Sequence, residues 1–479
     1  MILHIVLTSS KSFSIQQQVN AFFILGAVVL ICCLCGILSR PVTFLAYLWP
    51  ANAVLLGLFL RFKHLNIWGG WLGAFSAYML ADLMTGSSLQ LTFILSLSNL
   101  MNVTVSLFLI NFWTLNYHNY NQGFTFLYLF IICALGGSLV SALFAIATVP
   151  YLSDTFMSTQ RLGVDFGMWW AGEIVNYITI LPIILFFPTL NEMGKKFKNM
   201  KLKQFRLTKL LPLVAIVISV TFTHIFFGPG ALLYPLAALI WAALSYPIFS
   251  VALINSIVCL VTYHSLTYFY LSESSSAYLT TTISVRIGLC MLGLAPLILC
   301  IITSNRRELY KKVLHLANHD SLTNTINRRH LFEKGERYLS EAKSHTVSLI
   351  MLDLDHFKKM NDQYGHHIGD LVLKHFSQLV EDNIRTNELF ARIGGEEFLI
   401  LLMNTTLQET QTIAERIRIK TELTPMQLPD GDLLFITTSI GIAHQSLPTE
   451  LSLQHIINQA DHALYRSKAL GRNQITIAS

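Results

Sequence analysis

The stretch Arg392-Ile393-Gly394-Gly395-Glu396-Glu397-Phe398 lies between two short apolar runs, "NELF" before it and "LILLM" after it. Two such runs joined by a glycine-containing turn predict a β-hairpin. A hairpin turn uses glycine for positive φ angles, but it has no need of two adjacent carboxylates. Either the acids form a solvated rim, or they belong to a site completed by other segments.

Charge divides the 479 residues into two parts. Residues 1–303 hold 13 Lys/Arg and 6 Asp/Glu, whereas residues 304–479 hold 20 and 21. The sequence pI near 8.8 therefore reflects the apolar first part and gives no reason to expect a nucleic-acid partner. All seven cysteines lie in that first part without paired metal-ligand spacing, so neither a zinc site nor a disulfide scaffold is predicted.

The first part reads as a polytopic α-helical membrane domain at residues 19–303, after a short cytoplasmic segment at 1–18. A membrane helix needs about 20 apolar residues, and a break at Pro247 leaves the count at about eight to ten. The candidate spans are 19–38, 43–60, 67–84, 89–113, 124–149, 167–187, 210–227, 231–246, 248–270 and 281–303.

Basic residues predict the orientation, because Lys and Arg accumulate in cytoplasmic loops. Residues 191–209 carry seven of the 13 basic residues of the membrane part, and they are therefore assigned to the cytoplasm. Counting from this loop places 61–64, 305–312 and both termini inside, and it places Asp154 and Asp165 outside. The lipid bilayer is the first predicted partner.

Ionisable residues within the spans are rare and costly. They are Asp82, Glu173, Arg286, His224 and His264. One interpretation is a polar pocket, ion relay or ligand site between helices, with Glu173 as the leading candidate. The other is that Asp82 and Arg286 reach the interface and the rest are hydrogen-bonded for structural reasons.

Three stretches, "YLWPANAVLLGLFLRF", "WGGWLGAFSAYMLADL" and "MWWAGEIVNYITILPIIL", resemble the bacterial membrane-associated sensor domains called MASE, of the first type. The resemblance covers roughly residues 20–303. It implies an input module in the bacterial inner membrane that responds to an unknown ligand and controls a cytoplasmic output domain.

Residues 304–317 follow the last span without Gly or Pro and form a predicted helical connector. Leu309, Val313 and Leu316 recur at four and then three residues, which is the spacing of a short coiled coil. Such a helix would pair two protomers; alternatively, it packs on its own domain.

Residues 318–479 predict an α+β domain, a central antiparallel-rich sheet flanked by helices. The run "VSLIMLDL" (347–354) reads as a buried strand ending at Asp353, with Asp355 just beyond. A strand end beside a hairpin tip can bring Asp353, Glu396 and Glu397 together. Carboxylates and nucleotide phosphates are ligands that Mg²⁺ prefers, and paired ions support phosphoryl-type transfer.

Further polar residues suit a nucleotide. The glycines of the tip let the backbone approach closely, and Lys358, Lys468 and Arg472 can neutralise phosphates. Asn361 and Asp370 are the side-chain types that match a guanine edge.

Five blocks, "HDSLTNTINRR", "DLDHFKKMNDQYGHHIGD", "RIGGEEF", "TTSIGIA" and "ADHALYRSKALGRN", resemble the GGDEF family of diguanylate cyclases in order and content. The resemblance covers about residues 315–479. It implies a palm-like fold and the condensation of two GTP into cyclic di-GMP with release of two pyrophosphates. Because each domain binds one GTP, it also implies a homodimer.

The resemblance assigns roles to individual residues. It implies Mg²⁺, with Mn²⁺ as an alternative, on Asp353, Glu396 and the Leu354 carbonyl, with Asp355 supporting a second ion. Asn361 and Asp370 would hold guanine, and Glu397 would position the nucleotide or deprotonate the 3′-hydroxyl. The triphosphate would contact the Phe357 backbone, Lys358, Lys468 and Arg472.

The sequence departs from the family pattern in two places. Asn324 stands where Leu-Thr-Gly-Leu has glycine, and Arg385-Thr386-Asn387-Glu388 stands where product-inhibited members have Arg-x-x-Asp. Arg385 and Glu388 are therefore a degenerate inhibitory site. The leading hypothesis is a membrane-bound, Mg²⁺-dependent diguanylate cyclase regulated by its membrane domain. The alternative is an inactive receptor for GTP or cyclic di-GMP.

Overall fold

The computed structural model describes residues 13–39, 46, 48–115, 124–152, 155–189, 194, 207–226, 230–270, 275–341, 346–385, 387–429, 431–446 and 452–478. The chain divides into two compact units, Met1–Glu308 and Leu309–Ser479. The boundary falls inside the predicted connector. The orientation was predicted from the basic loop at 191–209 and from the acidic loop with Asp154. These residues lie almost wholly outside the described part of the chain, so the orientation stays a prediction.

The first unit is helical. Its helices are α1 Ile15–Leu38, α2 Pro50–Arg61, α3 Trp68–Met84, α4 Leu89–Phe112, α5 Thr125–Ile131, α6 Ser138–Thr148, α7 Leu162–Phe186, α8 Leu211–Ile225, α9 Leu236–Ser245, α10 Ile248–Tyr270 and α11 Ser275–Asn318. A π-helical segment, Ile132–Gly137, joins α5 to α6. Each of the ten predicted spans overlaps at least one of these helices, and the span 124–149 contains both α5 and α6.

By length and composition, seven of the described helices could cross a membrane. Eight to ten spans were predicted, and proline accounts for part of the difference. Helix α2 begins at Pro50, a residue that suits the first position of a helix. Helix α9 begins after Pro235 and ends two residues before Pro247, which disfavours a helical residue in front of it. Both helices are therefore shorter than the predicted spans.

Small residues allow close packing between α1 and α3. A Cβ atom at Gly69 would overlap the Gln18 carbonyl oxygen, and one at Gly73 would overlap the Phe22 carbonyl oxygen. Glycine at such positions lets two helix backbones meet, as is common between apolar helices.

The second unit has a six-stranded mixed sheet with helices on both faces. Its strands are β1 Ile326–Asn327, β2 Thr346–Leu354, β3 Leu389–Arg392, β4 Glu397–Met403, β7 Thr438–Ser446 and β8 Ile475–Ile477, in the order β1-β3-β4-β2-β7-β8. A separate hairpin pairs β5 Met426–Gln427 with β6 Leu433–Leu434. The helices are α12 Arg328–Glu341, α13 Phe357–Tyr364, α14 His366–Glu381, α15 Leu407–Leu423 and α16 Leu453–Ala469.

The central strand β2 explains the layers. Eight of its nine residues are buried, because both faces carry helices. Ile350, Leu352 and Leu354 belong to one core cluster with residues of α14 and α15. Val347, Leu349 and Met351 belong to the other, with residues of α12 and α16. The α+β class predicted for this part is confirmed, with three antiparallel and two parallel strand pairings.

Two local predictions were wrong. From sequence, "HFKKMNDQYGHHIGD" predicts a turn that leads into a helix at 371–384, but the stretch forms α13 and the start of α14, separated by Gly365 at φ +83°. The run "LLFITTSIGIAH" (433–444) predicts one strand, but the structure has two, because β6 pairs with β5 while β7 begins at Thr438 and pairs with β2.

Gly441 lies where α16 crosses β7, and it supplies a stability test. A Cβ atom there would overlap the Ala460 carbonyl oxygen and the Leu464 backbone nitrogen, which cannot rotate away. We expect Gly441→Ala to lower the free energy of unfolding of a 309–479 fragment by about 2–3 kcal/mol in urea denaturation. The matched control is Gly335→Ala, whose Cβ meets only side-chain carbons of Leu453 and Leu401. Equal stability of the two variants would contradict this packing.

Candidate active site

Strand pairing brings the predicted acids to one end of the sheet. Asp353 lies directly opposite Glu397 in the β2–β4 register. The next amide, Leu354 N–H, donates to the Glu396 carbonyl oxygen at 3.4 Å. The hairpin tip therefore lies against the end of β2, and three carboxylates share a small region of the domain.

The tip is held by an arginine and does not use left-handed glycines. Neither Gly394 nor Gly395 has a positive φ, contrary to the expectation for a hairpin turn. Arg392 donates to the Gly395 carbonyl oxygen through Nε and Nη2 at 3.1 and 2.7 Å, and to Asp320 Oδ1 through Nη1 at 3.0 Å. A Cβ atom at Gly394 would overlap the Glu397 carboxylate, so glycine there makes room for that acid.

Arg392 and Asp320 were not predicted as site residues. Asp320 Oδ1 also accepts from the Thr323 amide at 2.9 Å and the Thr323 hydroxyl at 2.9 Å. Burial raises the pKa of Asp320, but the bonds from Thr323 and Arg392 outweigh it and leave the pKa below its ordinary value. The motif "DSLT", an aspartate followed closely by backbone donors, could have indicated this turn.

Asp353 carries the least favourable charge of the site. The residue is 4% exposed, and Lys468 Nζ lies 2.7 Å from its Oδ2 atom. Burial raises the pKa of Asp353 to about 6; the Lys468 ammonium opposes the rise, and the Glu396 and Glu397 carboxylates add to it. This end of the sheet therefore favours a bound cation.

Both carboxylate oxygens of Asp355 accept hydrogen bonds within the protein, and its expected support of a second ion stays a prediction. Its Oδ1 accepts from the Ser439 hydroxyl at 2.6 Å. Its Oδ2 accepts from the Thr437 hydroxyl at 2.8 Å and from the Asn473 amide at 3.0 Å. Asp355 thus ties the end of β2 to β7 and to the turn after α16.

That turn carries the predicted phosphate contacts. Gly471, Arg472 and Asn473 all have positive φ angles, of 123°, 66° and 45°. The Arg472 amide donates to the Ser467 carbonyl oxygen at 3.1 Å, which reverses the chain after Lys468. The Arg472 side chain is exposed.

The predicted guanine residues lie on α13 and α14. Asn361 is half-buried and Asp370 exposed, on either side of Gly365. Within the described part of the chain, no group donates to the buried Asn361 Oδ1 atom. A Cβ atom at Gly369 would overlap that oxygen, so the glycine leaves the amide room. Phe357 is buried at the start of α13, and Lys358 beside it is exposed.

The degenerate inhibitory residues lie apart from these groups, in the loop between α14 and β3. Arg385 and Glu388 line a cavity of about 470 Å³ together with Arg416 of α15. Glu388 Oε2 accepts from the Arg385 backbone amide at 2.7 Å, so the carboxylate caps its own turn.

Asn324 adopts the left-handed conformation of the glycine that it replaces, with φ of 62°. Asparagine tolerates this region better than most residues. Its Oδ1 lies 2.7 Å from His315 Nε2, and the His315 ring stacks on His319 with centroids 4.0 Å apart. The substitution is therefore accommodated with a new contact to the end of α11.

Comparison with known proteins adds family information. Residues 317–474 match the family model described as "Diguanylate cyclase, GGDEF domain". The chain is 27% identical to the "Probable diguanylate cyclase DgcF" of Escherichia coli O157:H7, over 97% of this chain and 94% of that protein. It is 40% identical to "Diguanylate cyclase A" of Treponema denticola, over 29% of this chain and 37% of that protein.

Among solved structures, one match is the coiled coil and GGDEF domain of DgcB from Caulobacter crescentus in complex with c-di-GMP. The identity is 32%, the coverage is 36% of this chain and 93% of that chain, and the TM-score is 0.35.

The raised pKa of Asp353 predicts a stability cost that depends on pH. The folded domain holds this proton more tightly than the unfolded chain, so ionisation between about pH 4 and pH 6 lowers the free energy of unfolding. We expect Asp353→Asn to raise the free energy of unfolding of residues 309–479 by roughly 1–2 kcal/mol at pH 7.5. The gain should disappear near pH 4, where the wild-type carboxyl is protonated in both states.

Urea denaturation with a metal chelator present measures this difference across the pH range. The control is Asp362→Asn, at an exposed carboxyl on α13. A destabilised Asp353→Asn variant at every pH would show that the carboxylate supports the fold.

Proposed function

We propose that this chain is a membrane-bound enzyme that condenses two GTP into cyclic di-GMP and two pyrophosphates, because residues 317–474 match the GGDEF family model of diguanylate cyclases. The observation that carries the proposal is the placement of Asp353. A buried carboxylate lies opposite Glu397 and attracts the Lys468 ammonium to 2.7 Å. If this position served stability alone, an uncharged residue there would give a higher free energy of unfolding.

Mg²⁺, or Mn²⁺, suits this donor set. Asp353, Glu396 and the Leu354 carbonyl would hold it, and it would supply charge stabilisation at the reacting phosphate. Among the described residues, no three His, Cys, Asp or Glu side chains form a group that could hold a metal ion by themselves. The protein would thus provide part of the coordination shell, which agrees with the preference of Mg²⁺ for phosphates and water as the remainder.

The other residues bind and orient the nucleotide. The Asn361 amide would both donate to and accept from the guanine edge, and the Asp370 carboxylate would accept from its N–H groups. Lys358, Arg472 and the Phe357 backbone would contact phosphates. Lys468 can leave Asp353 for a phosphate once another cation balances that carboxylate, because its side chain is 34% exposed.

Bond formation requires two domains. The 3′-hydroxyl oxygen of one GTP attacks the α-phosphorus of the other, pyrophosphate leaves with the bonding electrons, and the hydroxyl proton is released. Glu397 would position the nucleotide or accept that proton.

The end of α11 carries an exposed apolar row: Leu309, Val313 and Leu316 are 62, 61 and 71% exposed. This apolar row supports a homodimer formed through the connector.

The N-terminal unit would anchor and regulate the enzyme. Seven described helices are long and apolar enough to span a bilayer. We assign this unit to the MASE type of sensor, in a bacterial inner membrane, with the GGDEF domain in the cytoplasm. Feedback binding of cyclic di-GMP at Arg385 would be weakened, because Glu388 caps the Arg385 amide.

Loss of the Glu396 charge tests the enzyme against the receptor alternative. We expect full-length Glu396→Gln to form cyclic di-GMP from GTP and Mg²⁺ at least about 100-fold more slowly than the wild type, because a charged ligand to the metal is lost. Glu333→Gln, at a 60% exposed glutamate on α12, should keep wild-type activity. Product chromatography measures both. No product from the wild type, with GTP still bound, would favour the receptor.

Guanine recognition gives a separate test. Asn361→Ala should raise the KM for GTP roughly 10- to 100-fold with little change in kcat, because hydrogen bonds to the base are lost. Gly369→Ala should reproduce the effect by displacing the same amide. Gly335→Ala is the matched control. An unchanged KM in both site variants would remove Asn361 from the nucleotide site.

A further inference from the structure

The N-terminal unit contains a cavity among α3, α4, α7 and α11, with buried ionisable groups in a mostly apolar lining, that the proposed cyclase reaction does not use. Its volume is about 80 Å³. Its lining includes three ionisable and three aromatic residues: Glu173, Arg286, Asp82, Trp49, Trp169 and Phe156. One water needs roughly 10–15 Å³ on this scale, so the space admits a small organic molecule. Buried ionisable groups in an apolar helical unit are costly and indicate a functional site.

Glu173 presents a carboxylate whose position is fixed. The residue is 5% exposed, and its two oxygens accept from Asn52 Nδ2 at 2.9 Å and Asn102 Nδ2 at 3.0 Å. Tyr78 and Tyr177 donate to the oxygens of those two amides at 2.6 and 2.8 Å, which turns the amide N–H groups toward Glu173. Each carboxylate oxygen keeps a lone pair for another donor.

Arg286 presents unused donors at the same cavity. It is 3% exposed, and it donates through Nε to the Tyr263 hydroxyl at 2.8 Å, through Nη2 to the Ala46 carbonyl at 2.9 Å, and through Nη1 to the Met168 carbonyl. Within the described residues these bonds use three of its five N–H groups. A Cβ atom at Gly172 would lie 2.8 Å from Nη1, so this glycine makes room for the guanidinium.

The two charges line one cavity but do not pair. In the described part of the chain, no carboxylate lies within the 4.0 Å ion-pair limit of Arg286. A purely structural network would gain by bringing opposite charges into contact, because separate burial is expensive. Here backbone and tyrosine groups hold the guanidinium, and asparagine amides hold the carboxylate. The arrangement leaves a negative and a positive group facing a shared space.

We infer that this cavity binds a small zwitterion of the α-amino acid class. Its carboxylate would accept from the free N–H groups of Arg286, and its ammonium would donate to Glu173. Among the described residues of the lining, Asp82 adds a second carboxyl group beside Glu173, and the Trp49 and Trp169 indoles can attract a cation over their faces. The aromatic walls would contact an apolar side chain.

The test uses the full-length protein in lipid nanodiscs, with each of the twenty L-amino acids as probes at several concentrations. Thermal unfolding and tryptophan fluorescence are read, so the result does not depend on cyclase activity or on the proposed function. We expect at least one amino acid to raise Tm by about 2 °C or more, saturably, and to change the fluorescence. n-Butylamine and butyrate, each with one of the two charges, should have smaller effects.

Variants locate the binding. Glu173→Gln and Gly172→Ala should abolish the Tm shift, the second by displacing Arg286. Trp169→Leu should weaken it, whereas Trp170→Leu should not. These neighbours form a matched pair, because the Trp169 indole donates one hydrogen bond to Ser141 Oγ and the Trp170 indole donates one to the Ala134 carbonyl. Of the two, only Trp169 lines the cavity.

Three results would overturn the inference. The first is a wild-type protein whose Tm and fluorescence respond to none of the twenty amino acids. The second is a shift that survives both Glu173→Gln and Gly172→Ala. The third is a shift from n-butylamine alone that equals that of the best amino acid.

Discussion

The C-terminal unit depends on one unfavourable burial, that of the Asp353 carboxylate at the end of the central strand. Strand pairing leaves it no alternative position, because β4 on one side and β7 on the other fix its backbone. Two further carboxylates lie close enough to raise its pKa, and one lysine partly compensates. Folding thus concentrates negative charge where a cation and a triphosphate would complete the balance. Two sets of hydrogen bonds hold the backbone around this charge: those from Arg392 to the Gly395 carbonyl and those from β7 to Asp355.

The two units use buried charge differently. In the C-terminal unit the acids converge, and a lysine is drawn directly onto one of them. In the N-terminal unit Glu173 and Arg286 are each satisfied by neutral groups and remain apart. The first arrangement suits a cation that arrives with a highly charged substrate. The second suits a neutral molecule with separated charges. Its binding would leave the net charge of the cavity nearly unchanged, and it would link α7 to α11.

Some elements could be predicted because their residues decide them locally. The apolar run 347–354 is a strand, and all eight of its residues are buried. The stretch "LQHIINQADHALYRSKA" predicts a helix at 453–469, and the helix Leu453–Ala469 is present, with Ser452 as its cap. Other features depend on distant contacts. Nothing near Asp355 shows that Thr437, Ser439 and Asn473 will occupy both of its oxygens. The glycines of the hairpin tip suggested a left-handed turn, yet an arginine side chain holds the turn and the glycines provide space.

The contact between Asp355 and the Asn473 amide joins residues 118 positions apart in the chain. At a synthesis rate of about 5–20 residues per second, roughly 6–24 s separate the emergence of the two partners from the ribosome. Until then the aspartate lacks one of its donors, and strand β8 cannot yet pair with β7. The end of the sheet that carries Asp353 is therefore completed late in synthesis, well after the apolar helices have left the exit tunnel. A nascent chain would carry its apolar helices before the acidic end of the sheet is complete.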